Sequence, residues 1–158
     1  MFRKMRNKKK ELSEESAKRL LREAPRGIIA VNGDEGYPYA VPINYLYDEE
    51  RNRIYFHGLR SGYKVDSLKV SDKICFTVYG NETIKEESWA PFVQSVVVFG
   101  RCRTIENRDD MLEALKNFAM KYYPNEKMVL DEIKATGNAV QMFEIEIEHL
   151  TGKEVQEK

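Results

Sequence analysis

Cysteine and histidine are scarce in this chain of 158 residues, which contains two of each. Cys75 and Cys102 each lie in an apolar, strand-like run without CxxC spacing or a neighbouring histidine. We therefore expect two reduced thiols and no disulfide framework or zinc site. With His57 and His149 as the only histidines, a multi-histidine metal centre is excluded, and no metal is expected.

Net charge of one sign is also lacking, because 26 lysines and arginines balance 26 aspartates and glutamates. This balance argues against nucleic acid as the main partner, since neutralising phosphates needs a net cationic face. The basic run FRKMRNKKK is a local exception, which we interpret as part of a solvated tail over residues 1–12. Residues 13–158 are then expected to form one domain.

Long apolar runs are missing as well. None approaches the roughly 20 residues that a bilayer-spanning helix needs, and no apolar segment follows the basic residues as it would in a targeting signal. We therefore expect a cytoplasmic protein without a membrane partner. The common catalytic motifs GxGxxG, GxxxxGK[ST], GxSxG and HExxH are absent too. If the chain is an enzyme, a bound cofactor is expected to carry the chemistry.

Short runs of alternating apolar and polar residues are abundant instead. With helical signals near residues 13–24, 63–70, 107–123 and 127–135, they suggest about six strands and two or three helices. Short turns between most of these elements favour a small antiparallel β-barrel with peripheral helices over a doubly wound parallel sheet. Pro124 is expected to end the third helix. The stretch NETIKEESWAPF is predicted to be an irregular connection, and its Trp89 either covers a flat ligand or simply packs.

The segment from Tyr37 to Lys64 is the most informative one. It predicts a strand through YAVPINYLY, a turn at DEERN and a second strand at RIYFHG. Pro42 is unusual within the first strand because proline cannot donate to a β-ladder. It therefore marks an edge or a bulge, and bulges often lie beside sites. Asn44 lies among apolar residues, where its amide would bond either a planar heterocycle or backbone groups. Ser95, at the start of SVVVFG, allows the same two interpretations.

The loop that follows the second strand reads HGLRSGYK. It combines two flexible backbone positions, one hydroxyl and two cations, a set able to curl around a phosphate. Taken singly, its cations are ordinary surface charges, and His57 reads as a strand-end histidine bonded to a backbone carbonyl. The residues that form this predicted anion cradle are Gly58, Arg60, Ser61, Gly62 and Lys64.

Five runs in a fixed order resemble one family of proteins: GYPYAVPINYLYD, IYFHGLRSGYKVDSL, KICFTVYG, SVVVFGRCRTIE and IEIEHLTGK. The family is that of the pyridoxamine-5′-phosphate-oxidase-related flavoproteins, and the similarity is greatest to its nitroimidazole-resistance branch. It extends from about Glu15 to Lys153 and implies a split β-barrel that binds FMN at a homodimer interface. The pyridoxal-phosphate-binding arginines and the closing WRL-type motif of true pyridoxamine-phosphate oxidases are not visible, so pyridoxamine phosphate is not the expected substrate.

The resemblance also implies roles for individual residues. The VPINY strand would line the flavin ring, the HGLRSGYK loop would hold the phosphate through Lys64, and the SVV strand would lie near the flavin. His149, in the closing HLTGK run, would approach the partner subunit's site. The implied cofactor-binding residues are Pro42, Ile43, Asn44, Tyr45, His57, Gly58, Arg60, Ser61, Lys64, Ser95, Val96 and Val97.

Two functions remain open at this point. The first is an FMN-dependent oxidoreductase that takes electrons from a reduced nicotinamide or another small donor and reduces a small acceptor such as a nitroaromatic. In it, His57 would be catalytic by orienting the substrate or donating a proton. The alternative, suggested by the absence of an obvious acid–base set, is a flavin- or haem-binding module that stores or senses its ligand. A purely structural barrel is a third possibility, against which the intact HGLRSGYK loop argues.

Overall fold

A computed structural model describes residues 1–88, 90–123 and 125–156. The expectations for Trp89 and Pro124 fall outside these residues. The elements in chain order are α1 (Glu14–Glu23), β1 (Gly27–Asn32), β2 (Pro38–Ile43), β3 (Leu46–Asp48), β4 (Arg53–Gly58), α2 (Tyr63–Val70), β5 (Lys73–Lys85), β6 (Ala90–Thr104), α3 (Arg108–Tyr122), α4 (Glu126–Thr136) and β7 (Gln141–Gln156).

The strands form one seven-stranded antiparallel sheet in the order β2-β1-β5-β6-β7-β4-β3. The two edge strands, β2 and β3, are separated along the chain only by Asn44 and Tyr45. The three Cα–Cα steps from Ile43 to Leu46 span about 11 Å at most, so the sheet must curl until its edges meet there. No ladder joins β2 to β3 in the part of the chain that the structure describes. The predicted mainly β, split-barrel class is therefore confirmed.

The prediction of one continuous strand through residues 39–47 is wrong. The chain leaves β2 after Ile43 and joins the opposite edge as β3. Between them, the backbone N–H of Tyr45 donates to the hydroxyl of Tyr122 at 2.8 Å and not to a strand neighbour. The predicted alternation itself is right, since Tyr45 and Tyr47 point into the core and Pro42 is exposed.

The prediction of an irregular connection in NETIKEESWAPF is also wrong. β5 continues to Lys85 and β6 starts at Ala90, so most of this polar stretch extends a hairpin. A register shift between Gly80 and Thr83 interrupts their pairing, with Asn81 at a φ of 51°. Polar composition was a poor guide here because an exposed hairpin arm buries neither of its faces.

The main core fills the barrel and extends under α1. Ser13 caps α1 by accepting a hydrogen bond from the backbone N–H of Ser16 at 3.2 Å, and Leu20 and Leu21 of α1 are buried against the sheet. The predicted helix and its apolar stripe are thus confirmed. Side chains with no exposed area in this core include Ile29, Tyr45, Ile54, Phe56, Phe76, Val96, Val98 and Ile145.

A second, smaller core lies between α3 and the sheet. Met111, Leu115 and Phe118 of α3 pack with Met142 of β7, and Ile133 of α4 packs against this cluster. The helix α3 was predicted from its apolar spacing, and a further helical stretch was expected over residues 127–135; the structure contains both helices. No helix among the described residues is both long and apolar enough to cross a membrane.

The end of the predicted N-terminal tail belongs to the folded domain. Glu11 forms a β-bridge with Lys153, and the backbone N–H of Leu12 donates to the Gly152 carbonyl at 2.9 Å. Gly152 permits this close approach, because a Cβ there would lie 3.0 Å from the Cβ of Leu12. Further out, the ring of Phe2 stacks on His149 with centroids 4.7 Å apart. The tail is therefore in contact with β7.

Candidate functional site

The loop from Gly58 to Lys64 joins β4 to α2 and depends on two glycines. Gly62 caps α2 with φ 124° and ψ 171°, a region of backbone space that essentially only glycine adopts. A Cβ on Gly58 would lie 3.2 Å from the Phe143 ring and 4.0 Å from Nζ of Lys64. The sequence places glycine where the backbone must turn sharply and where the Phe143 ring leaves little room for a side chain.

Lys64, the last residue of this loop, is partly buried. Its Nζ lies 4.9 Å from the centroid of the Phe56 ring, and burial lowers its pKa below 10.5. No carboxylate of a described residue forms an ion pair with it. A desolvated ammonium without a counter-ion is costly unless an anion completes the site. Lys64 is therefore the best-defined anion-binding group of the loop.

A cleft of about 540 Å³ lies between this loop, α2 and β6, and we call it the loop cleft. Arg60, Lys69 and Arg103 contribute cations to its walls. The lining carboxylates already have partners, since Asp72 accepts from Arg101 at 2.9 Å and Glu106 accepts from the Thr104 hydroxyl. The guanidinium of Arg60 donates to the Asn138 carbonyl at 3.2 Å. Lys69 is paired with Asp66 at 3.2 Å, and Lys64 does not line the cleft. Arg60 and Arg103 are therefore the cations that the cleft offers to a phosphate-sized anion.

His57 lies at the end of β4, where its side chain reaches solvent. Its ring is 5.0 Å from the ring of Phe118. The enclosure of the imidazole by its neighbours, and second the positive charge of Lys64, lower its pKa below 6.5. The ring makes no hydrogen bond to a described residue, so the alternative of a carbonyl-bonded histidine is not realised. A neutral, accessible imidazole can orient a substrate or exchange a proton.

A second cavity of about 340 Å³ opens beside His57, and we call it the helical pocket. The barrel contributes His57 and Asn44 to its wall, which places both predicted site residues at one cavity. The two helices contribute its remaining residues, most of them apolar, and none of these was predicted as part of a site. They are Leu115, Phe118, Ala119, Tyr122, Tyr123, Met128, Val129, Glu132, Ile133 and Thr136, with Val140 beyond α4.

The sheet register decides which strand residues can meet a ligand. Pro42 pairs with Ile28, Ile28 pairs with Thr77, and Thr77 pairs with Val97. These four residues therefore share one row on the convex side of the sheet, which we call the outer face. Ser95 lies on the same face, two residues before Val97. The next row carries Ala40, Ala30, Cys75, Phe99 and His149.

Three of the residues predicted to contact a ligand point away from this face. Tyr45 and Val96 have no exposed area, and Ile43 packs against the core. The side chains of Tyr45 and Val96 lie inside the barrel, so only their backbone atoms remain available to a ligand, whereas the side chain of Ile43 is partly exposed. Ser61 is exposed in the loop. The structure therefore divides the predicted residues among the outer face, the loop, the core and the helical pocket.

Two residues of α3 that sequence reasoning missed hold the crossover between β2 and β3. Nζ of Lys121 donates to the carbonyls of Ala24 and Tyr45 at 2.9 and 3.0 Å. The hydroxyl of Tyr122 lies 2.9 Å from the Pro25 carbonyl. Burial lowers the pKa of Lys121 to about 8. Their positions three and four residues after the apolar Phe118 were the available signal, because such residues share a helix face.

These features define a split β-barrel. The unpaired edges of β2 and β3, the glycine loop and the partly buried Lys64 lie close together in it. A family profile described as pyridoxamine 5′-phosphate oxidase matches residues 13–154, and the chain belongs to this family. The resemblance found in the sequence is thereby confirmed. No curated protein matches the chain in sequence.

Solved structures share the fold. A candidate 5-nitroimidazole antibiotic resistance protein from Bacteroides thetaiotaomicron has a TM-score of 0.79 at 19% identity, with 92% of this chain and 87% of that chain covered. A FAD-binding protein from Mesorhizobium loti has a TM-score of 0.65 at 22% identity, covering 92% and 96%. The FAD and heme binding protein from Mycobacterium smegmatis has a TM-score of 0.68 at 17% identity, covering 94% and 74%. At these identities the likeness shows the fold alone.

Proposed function

We propose that the protein is an FMN-dependent oxidoreductase of the cytoplasm that reduces a small acceptor, such as a nitroaromatic, with electrons from a reduced nicotinamide. The observation that carries the proposal is the ammonium of Lys64, which is partly buried and has no carboxylate partner among the described residues, in a loop whose Gly62 has a φ of 124°. Two of the proteins with a similar fold are named for binding FAD, which supports a flavin as the cofactor of this chain. The two free cysteines are in keeping with a reducing compartment.

The cations of the loop suit the phosphate of a flavin mononucleotide. Lys64 and Arg60 would hold the phosphate, with the Ser61 hydroxyl as a further donor. The flat ring would lie against the exposed edge strand that carries Pro42, next to Ser95 and the row of Val97. When bound, flavin supplies reversible transfer of electrons between a donor and an acceptor. The chain supplies position, exclusion of water and charge.

The outer face supports a homodimer with the flavin at its interface. Its second row is mostly apolar, and Phe99 in that row is 42% exposed. Tyr79 on β5, which pairs with Ser95 on the same face, is exposed as well. Contiguous exposed apolar surface marks interaction sites, and a second copy with the same face would cover it by two-fold symmetry. Static light scattering at micromolar concentration should give twice the chain mass, and a monomer would contradict an interfacial site.

His57 is the residue best placed to serve the acceptor. Its imidazole is accessible, lies within the helical pocket and is predominantly neutral at neutral pH because its pKa is lowered. It would orient the acceptor by a hydrogen bond and, as the pH falls, donate a proton from its charged form. Asn44, in the same pocket, would contribute an amide donor and acceptor.

The decisive experiment identifies the ligand and then tests for turnover. Purified protein is unfolded, the released ligand is analysed by mass spectrometry, and the reloaded protein is screened with both reduced nicotinamides and a nitroaromatic acceptor. FMN released, and acceptor-dependent oxidation of a nicotinamide, are the expected results. A colourless protein that fails to bind added FMN would refute the proposal. Bound FMN that neither nicotinamide reduces would instead favour the storage or sensing module.

A further inference from the structure

We propose that the helical pocket is the acceptor site and that it selects small planar aromatic molecules without negative charge. Only the role of the bound molecule as an electron acceptor rests on the proposed function, because binding of such molecules to the pocket can be measured without flavin. It concerns residues of α3 and α4 outside the loop cleft and the outer face.

The shape of the pocket favours a flat ligand. Its volume of about 340 Å³ lies near the lower end of the range for small-molecule sites. Phe118 from α3, and Val129 and Ile133 from α4, contribute apolar walls from two helices. Aromatic and aliphatic walls of this kind bind a planar ring through dispersion and burial of apolar area.

The pocket is open to solvent, so a ligand can enter. Met128 and Tyr123, which line it, are 61% and 57% exposed, and His57 reaches solvent. Exposed methionine and tyrosine side chains keep apolar surface in water, and covering that surface would stabilise a complex. Methionine also adapts its conformation to ligands of different outline.

The polar groups of the pocket determine the charge that it accepts. Glu132 carries a carboxylate to which the Thr136 hydroxyl donates at 3.1 Å, and no cation of a described residue forms an ion pair with it. His57 and Asn44 face the same cavity as neutral donors and acceptors. Among the described residues, Glu132 is the one ionic side chain in the wall of the pocket, whereas Lys64 lies outside the lining and acts on it only through His57. The exposed carboxylate in the wall repels anions and attracts cations. Neutral and cationic aromatics are therefore the favoured ligands.

The test uses three probes of nearly equal size: 4-nitrobenzyl alcohol, 4-nitrobenzylamine and 4-nitrobenzoate. Isothermal titration calorimetry with flavin-free protein should show binding of the alcohol and the amine, and weaker binding of the anionic benzoate. Glu132→Gln should reduce the preference for the amine over the benzoate by about three- to tenfold. An unchanged preference, or tightest binding of the benzoate, would overturn the charge assignment.

A matched pair of substitutions on α4 tests the location. Thr136→Trp places a large side chain in the pocket and should weaken binding of the alcohol by about tenfold or more. Lys134→Trp adds the same side chain at an exposed position outside the lining and should leave binding within about twofold. Circular dichroism confirms that both variants are folded. Equal affinities for the two variants would place the site elsewhere.

Flavin titration of the same variants separates this inference from the proposed function. Thr136→Trp should bind FMN like the unaltered protein while its KM for the nitro-alcohol rises. Failure of the protein to bind any flavin would refute the proposed function, yet the calorimetric result would still decide whether the pocket binds aromatics. Normal turnover and an unchanged KM in Thr136→Trp would refute the pocket alone.

Discussion

Replacement of Lys64 by methionine should affect flavin binding and folding in opposite directions. Methionine retains most of the apolar stem that packs beside Phe56 but removes the ammonium. In the flavin-free protein that ammonium has lost water without gaining a counter-ion from any residue that the structure describes, so its removal relieves a cost. In the complex the same ammonium would bond a phosphate, so its removal weakens binding. Few substitutions separate the two effects so clearly.

The magnitudes follow from the burial of Lys64. A hydrogen bond to a charged group contributes about 1.5–3 kcal/mol, which corresponds to about a 10- to 150-fold rise in the Kd for FMN. For folding, the ammonium keeps a cation–π contact at 4.9 Å with Phe56, which stabilises it by about 0.5–1 kcal/mol. We therefore expect the variant to equal the unaltered protein, or to exceed it by about 1 kcal/mol, in its free energy of unfolding.

The pH dependence gives a sharper test. Since the pKa of Lys64 is lowered below 10.5 in the folded protein, the unfolded chain binds more protons between the two pKa values. The contribution of Lys64 to stability therefore rises with pH across that window. Lys64→Met removes this rise. The stability advantage of the variant should be largest near neutral pH and should shrink as the pH approaches 10.5.

Urea unfolding of flavin-free protein at several pH values and flavin titration by fluorescence quenching measure the two effects. Lys134→Met is the control, because Lys134 is an exposed lysine of α4 that lines neither the loop cleft nor the helical pocket. It should change the Kd for FMN less than about threefold. A Lys64→Met variant with an unchanged Kd would remove Lys64 from the phosphate site. A variant destabilised by several kcal/mol would show instead that the ammonium has a structural partner.

Three further predictions concern the loop, the crossover and the histidine. Gly62→Ala should lower the free energy of unfolding by about 1–3 kcal/mol because its φ is 124°, and an unchanged Tm would contradict that strain. Tyr122→Phe should cost about 1–3 kcal/mol by leaving a backbone N–H without its partner. The exposed Tyr123→Phe serves as its control, and equal denaturation midpoints would refute the role. NMR titration should give His57 a pKa below 6.5 that rises in Lys64→Met, since Lys64 is one cause of the lowering.

Local signals in the sequence were sufficient for most elements. Ser13 and Asn107 cap the helices that their side chains predict, and the alternation of β7 places Phe143 and Ile145 in the core. These features depend on neighbours within a few residues, where spacing and capping determine the conformation. The polar hairpin arm of β5 and β6 was missed because it lacks such a pattern.

The candidate site was predictable only in part, because its residues come from distant segments. The loop glycines and Lys64 lie within one run, so the sequence could group them. Asn44 and His57 meet at one cavity only because the strands form a barrel. Glu132 joins them only because α4 packs beside the end of that barrel. The inward orientation of Val96 likewise follows from the sheet register, which a linear pattern does not specify.

The sequence by itself determined the family of the chain, the glycines that its loop requires and the alternation that divides core from surface. The tertiary structure alone decided that β2 and β3 lie at opposite edges of one sheet, with Lys121 and Tyr122 holding the short crossover between them. It also decided that two helices enclose a cavity next to His57. The reason is physical: spacing along a chain specifies local conformation, whereas a site needs side chains that only packing brings together.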